Sequence, residues 1–277
     1  MSKSWIFSTP RHAGRHCRRI APGWGAQTRA FSDIQQASGS TRRSSRPACL
    51  VDAQKGSLRA LHTDVAQMDM EQHLNSLFPP LKFPPELAAR ILTHTSHPDA
   101  IYRHNARLSF IGRRILQTYL HLFLHSSPAL HPTHDYSQIS QRALNTYVLG
   151  EHVAPLWSFG KVMKWTPVAG PLLSTPTARQ EGPVAVLSRL GPEASRSVGL
   201  YKVQGTAVEA LVGGVFHQFG GSVAHRLFHT RVLPNILVPG RPEGLPDVFH
   251  EHVMEVCDSM GGLKGDLLAA ESAASES

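Results

Sequence analysis

Histidine, with 17 copies in this 277-residue chain, is abundant and can ligate a metal or move a proton near neutral pH. Two pairs, His121/His125 and His225/His229, have the i,i+4 spacing that sets two ligands on one helix face. Neither pair forms the His-Glu-x-x-His pattern, and no nearby cysteine supplies a third ligand. Histidines packed or solvated without metal are therefore the expectation. The cysteines, Cys17, Cys49 and Cys257, are too dispersed for a Cys-x-x-Cys site or a disulfide framework. Ser109 has no His-Asp arrangement at triad spacing beside it, which speaks against a serine nucleophile.

The elements that position these groups read as helices. Leu108, Ile111, Ile115, Tyr119 and Leu122 recur at three- and four-residue steps, one face of a helix. Phe110, Leu116, Leu120, Phe123 and Leu124 fill much of the remaining circumference, so this helix is expected to be central, with its later turns buried nearly all round. Gly112 inside it costs about 1 kcal/mol relative to alanine. Close approach by a second helix or another subunit compensates for that cost; a tolerated defect is the alternative. Pro84 and Pro85 suit the entry of a short helix over 86–92, and 94–105 reads as a loop broken by Pro98. Further helices are expected over 137–149, from Ser195 or Ser197 to Phe219 with Gly220-Gly221 as the stop, over 223–236 and over 248–260. A short piece is expected at 158–165, an irregular loop at 166–182 and a disordered tail beyond Lys264. No strand pattern of useful length appears, so the expected fold class is all-α.

Three segments in order carry a family resemblance. Asn105, Arg107, Leu108, Phe110 and Gly112 match the signature helix of the ribonuclease III family, usually Asn-Glu-Arg-Leu-Glu-Phe-Leu-Gly-Asp. The segment 205–216 is similar to its second catalytic helix, usually Ala-Asp-x-Phe-Glu-Ala-Leu-Ile-Gly-Ala, and Leu92-Thr93-His94-Thr95-Ser96 resembles the Leu-Thr-His-x-Ser upstream of the signature. Ordered matches at three places are far more specific than any one. The acidic positions depart from the pattern. Ala106, Ser109 and Arg113 stand where the family has Glu, Glu and Asp; Thr206 replaces another Asp; Glu209 is kept.

The resemblance implies a helical domain over 83–237. Family enzymes use carboxylates from both motif helices to hold Mg²⁺, which activates water against an RNA phosphodiester. Of the four principal positions, Ser109, Arg113, Thr206 and Glu209, one is still acidic. The expectation is no metal, no cofactor and no catalysis, with Glu209 paired to Arg113 or Arg107.

Charge is unevenly distributed. Residues 1–46 carry nine Lys/Arg against Asp33, a net +8, which equals the charge of the whole chain. The high pI therefore belongs to an Arg- and Ser-rich leader that reads as a mitochondrial transit peptide. Arg29-Ala30-Phe31-Ser32 resembles a processing site with a cut near 31–32, and Arg42-Arg43 is a competing location. A basic arm that stays attached is the alternative. Residues 47–82 read as a linker. Residues 238–277 hold eight acids against two bases, an acidic extension too short for a double-stranded-RNA-binding domain. No window has the roughly 18 uninterrupted apolar residues of a membrane span.

These features resemble the ribonuclease III-like branch that serves the large subunit of fungal mitochondrial ribosomes, whose members are structural components. The resemblance implies a mitochondrial matrix location and contact with large-subunit rRNA and other mitochondrial ribosomal proteins. It also implies dimerisation through the signature helix at Phe110 and Gly112, with a second ribonuclease III-like subunit as the expected partner. Arg103, Arg107, Arg113, Arg114, Arg226 and Arg231 are candidate RNA contacts, and no more than half of them are expected to serve. An active double-stranded-RNA endoribonuclease and a transient assembly or RNA-processing factor are the alternatives.

Overall fold

The computed structural model describes residues 69–101, 103–167 and 191–268, all within one compact unit, Ala48–Ser277. The leader and its cut, Cys17, Cys49, most of the 166–182 loop and residues 269–277 lie outside the described residues.

The chain runs through α1 (69–77), α2 (Pro85–Leu92), α3 (Ala106–Ser126), α4 (Tyr136–Ala143) and α5 (Thr146–Val148), which continues as a π turn, Leu149–Val153. Then come α6 (Phe159–Val162), α7 (Pro192–Ser197), α8 (Leu200–Phe219) and α9 (Gly221–Leu227). The last continues as a π turn, Phe228–Val232, and a 3-10 turn, Leu233–Ile236; α10 (His250–Ser259) follows. The fold is all-α. Among the described residues the only extended pairing is an isolated bridge between Thr93 and Lys164, and no helix is long and apolar enough to cross a membrane.

The helix buried nearly all round is α8, not α3. From Val203 to Val215 every residue of α8 but Thr206 is buried. Helix α3 is amphipathic: Leu108, Ile115, Leu116, Leu120, Phe123 and Leu124 face the core, whereas Phe110 and Leu122 are 64% and 58% exposed. Glycines let the other helices reach α8. A Cβ on Gly112 would collide with the Glu209 carbonyl and lie 2.9 Å from Gly213 N, and one on Gly213 would lie 2.9 Å from Gly112 N. Lower on α8, Gly150 of the π turn meets Gly205 in the same way, a Cβ there falling 2.9 Å from Gly205 N. The close approach expected at Gly112 is thus made inside the chain, and Gly112 is removed from the expected dimer surface because it is buried under α8.

Several boundaries differ from expectation for local reasons. The helix expected over 137–149 is two helices, because Asp135 and Asn145 each cap a start: Asp135 Oδ1 accepts from Ser137 N at 2.8 Å, and Asn145 Oδ1 from Tyr147 N at 2.9 Å. Gly199, with φ of 83°, separates α7 from α8. The linker expected over 47–82 does not hold for 69–82, since Met70, Leu74, Phe78 and Leu81 are core residues and Asn75 Oδ1 accepts from Phe83 N at 2.8 Å. Nor does the tail begin at Lys264. Leu245, Phe249, Val253, Cys257 and Leu267 are buried, and two arginines hold this segment to the body. Arg226 donates to Asp266 O and Met260 O, both at 3.0 Å, and Arg231 to Gly265 O at 3.2 Å. Both were expected as RNA contacts; instead they bond carbonyls of the C-terminal segment, which satisfies donors that would otherwise be left at a packed surface.

Three of these four paired histidines take part in local packing, while His125 is exposed. His121 bonds Ser140 Oγ at 2.7 Å, and the His229 ring lies tilted with its centroid 4.2 Å from that of His225 and its Nδ1 3.0 Å from the His225 carbonyl. His229 also packs against Phe123 and Phe228, and burial pushes its pKa down to about 4.

Gly112→Ala is expected to destabilise the protein by about 3 kcal/mol, the upper range of overpacking, because backbone must separate from backbone. Gly214→Ala on the same helix meets the tip of Ile91, Cδ1 at 2.9 Å, which can turn aside, and is expected to be near neutral. Equal losses in thermal melts of the two variants would contradict this account. The second expectation concerns pH. Unfolded His229 takes a proton near 6.5 and folded His229 only near 4, so between those values the unfolded state binds more protons. Stability is complete above about pH 6.5 and falls toward pH 4, by on the order of 3 kcal/mol for this group. Urea unfolding from pH 7 to pH 4.5 should show a slope that His229→Gln reduces; an unchanged slope would exclude His229 as its source.

Candidate functional site

Glu209 sits one turn from Gly205 and one turn from Gly213 on α8, between the two places where neighbouring helices press closest. Its side chain is fully buried, at 0% exposure. Helix α3 enters with Ser109 and Arg113 one turn apart, and α5 enters with Thr146. Oε1 accepts from Arg113 Nε at 3.2 Å and Thr146 Oγ1 at 3.1 Å; Oε2 accepts from Arg113 Nη2 at 3.1 Å and Ser109 Oγ at 3.0 Å. Both oxygens thus receive two bonds, in the bidentate geometry that suits arginine and carboxylate. The Arg113 side chain is 58% exposed, so the pair has its negative end inside and its positive end toward solvent.

Of the two partners expected for Glu209, the structure pairs Arg113; Arg107 is exposed on the adjoining turn. Ser109 joins the same cluster. Thr206 does not bond Glu209, because its Oγ1 donates back to Lys202 O at 2.9 Å within α8. Ala106 is exposed at the start of α3. Thr146 was missed: it lies 63 positions from Glu209 in sequence, and only the Gly150/Gly205 crossing brings it near.

A cavity of about 190 Å³ opens beside the cluster, lined in part by His94, Asn105, Ser109, Arg113 and Thr206. Asn105 is buried at the N-cap of α3, its amide N donating to Ile91 O at 3.4 Å and its backbone N to Thr93 O at 3.0 Å. His94 Nδ1 accepts from Ser96 N at 3.1 Å, which fixes the remaining ring proton on Nε2. Burial, then Lys202 and His104, hold the His94 pKa below its ordinary value. Of the other expected RNA contacts, Arg103 pairs with Glu86 at 3.4 Å, and Arg114 lies over the Phe110 ring, 5.6 Å from its centroid.

The sequence between residues 84 and 236 matches the family model described as Ribonuclease-III-like, more than half of the chain. The chain belongs to the ribonuclease-III-like family. No curated protein matches it. Among solved structures, this ribonuclease-III-like chain is similar to the nuclease domain of ribonuclease III from Campylobacter jejuni, with 18% identity and a TM-score of 0.43 over 61% of this chain and 95% of that one. A second structure of that nuclease domain, concerned with flexibility in its dimer-forming region, gives 16% identity and a TM-score of 0.44 over 60% and 98%.

The donor set at Ser109, Arg113, Thr206 and Glu209 does not fit Mg²⁺. That ion needs oxygen ligands, mainly carboxylates and water, in near-octahedral array at about 2.1 Å. Here the single carboxylate already accepts four hydrogen bonds from protein groups. A guanidinium about 4 Å from a dication would repel it by roughly 8 kcal/mol at an effective dielectric of 20.

The pairing predicts a coupled response to mutation. Arg113→Ala leaves a buried carboxylate without its cation and is expected to cost about 2–3 kcal/mol, below the range for fully buried pairs because the guanidinium is half in water. Adding Glu209→Gln removes the stranded charge, so the double variant should regain part of that loss. Additive losses in a urea-unfolding double-mutant cycle would show that the two side chains are uncoupled.

Proposed function

We propose that this chain is a catalytically silent ribonuclease-III-like scaffold and a structural constituent of the mitochondrial large ribosomal subunit, in the matrix. One observation carries the silent part: Glu209, the single acid at the four metal positions, is buried and saturated by Ser109, Arg113 and Thr146. A metal-dependent nuclease needs its carboxylates open to an ion and adjacent to the scissile phosphate. Here a guanidinium faces outward in their place.

The scaffold part is supported by the outer face of α3. The helix contains no Asp or Glu, and Arg107, Phe110, Arg114 and Leu122 are exposed along it. A basic face broken by large apolar side chains suits a macromolecular partner more than open water. Phe110 is the anchor expected to meet a second ribonuclease III-like subunit; Arg103, Arg107, Arg113 and Arg114 are the exposed candidates for rRNA phosphates. The Arg- and Ser-rich leader, net +8 over residues 1–46, is what supports the mitochondrial location.

The deciding experiment is sedimentation of mitochondrial extracts at raised salt, combined with a cleavage assay on the purified chain. Co-migration with mature large subunits, and no Mg²⁺-dependent cutting of duplex RNA, are expected. Cutting that Glu209→Ala abolishes would establish an active endoribonuclease instead, and presence only with immature particles would establish an assembly factor.

A further inference from the structure

The cavity beside Arg113 has a definable ligand chemistry once its hydrogen atoms are assigned. Ser109 donates its hydroxyl proton to Glu209 Oε2 and Thr206 donates its own to Lys202 O. Neither hydroxyl has a hydrogen left for a ligand. Two donors do. Arg113 uses Nε and Nη2 on Glu209 and Thr146, while its Nη1 makes no bond among the described residues. His94 accepts through Nδ1 from the Ser96 backbone, so Nε2 carries a proton with no partner among the described residues.

Arg113 brings the one formal charge among the residues that line the cavity. Glu209 is the near carboxylate, and it lies at 0% exposure behind the guanidinium that neutralises it. Lys202 and His104 are close enough to His94 to act on it electrostatically. The first turn of α3, where Ala106 lines the cavity, contains no acid, and Asn105 makes no side-chain cap there. Since the opening N–H groups of a helix lack intrahelical partners, this 21-residue helix adds positive potential to the same opening. A water needs only about 10–15 Å³ of such space, so about 190 Å³ admits a tetrahedral oxyanion.

We propose that the cavity of Arg113 and His94 binds a phosphate group directly on protein donors, without a metal, the guanidinium Nη1 and the imidazole Nε2–H each donating to a phosphate oxygen. The substitution of Arg113 into a nuclease framework thereby exchanges a cation site for an anion site. This deepens the silent-site reading and rests on it, because a metal held by Glu209 would require Arg113 to be displaced. The phosphate has two possible sources of one chemistry: an RNA backbone, or a free phosphate or nucleotide.

The test uses the full chain in EDTA, with inorganic phosphate, uridine 5′-monophosphate and a short RNA duplex as probes, followed by ³¹P NMR for the small ions and fluorescence anisotropy for RNA. The wild type is expected to bind phosphate saturably, with a dissociation constant on the order of 1 mM. His94→Ala and Arg113→Lys should each weaken it at least several-fold. Arg113→Lys keeps a cation on Glu209 while removing the fork, and the His94 side chain bonds only Ser96, so thermal melts close to wild type are expected for both. Binding of the small ions assigns the site a free phosphate. RNA binding that each variant weakens several-fold, with the small ions not binding, assigns it a backbone phosphate. Either result supports the site. It is overturned if no probe binds, or if both folded variants bind every probe as the wild type does; variants that still co-sediment with large subunits would then leave the ribosomal reading standing while this one fails.

Discussion

A carboxylate with no access to water is the constraint on which the structure turns. Glu209 lies in the middle of α8, the most buried helix of the fold, between the two glycine crossings that bring α3 and α5 to backbone contact. Removing a charge from water is tolerable only when its partners arrive together and in good geometry. Ser109, Arg113 and Thr146 meet that condition from two separate helices, so the electrostatics and the packing of the core are one arrangement. Helices held apart by a single methyl group would lengthen the very bonds that make the burial acceptable.

The same arrangement accounts for what the site can and cannot bind. In a nuclease of this family the carboxylates must stay partly unsatisfied, waiting for an ion. Here they are reduced to one, and it is satisfied internally, which rigidifies the crossing and turns the outward potential positive. The scaffold remains because the glycines, the apolar faces and the caps do not depend on the metal ligands.

Elsewhere polar groups at a packed surface mostly find partners, although the buried Nη1 of Arg231 has none among the described residues. Arg226 and Arg231 looked, by type alone, like nucleic-acid contacts. In the fold they bond the carbonyls of Met260, Gly265 and Asp266 and hold an acidic segment to the body. His121 and His229 likewise take part in local hydrogen bonds and ring packing.

How much was legible in the sequence differs by the range of the interaction. Apolar spacing placed α3 and the latter part of α8, and the three motif segments placed the family and the positions of Ser109, Arg113, Thr206 and Glu209, because these are local patterns or fixed spacings along one helix. Gly112 announced a close approach by its cost, without saying to what. Tertiary structure alone decided that α8 and not α3 is enclosed, that residues 69–82 belong to the core, that Phe110 is exposed while Gly112 is covered, and that Thr146 completes the carboxylate's shell. Each of these depends on groups far apart in sequence meeting in space, and no periodicity within a helix records which neighbour will fill the other side of a contact.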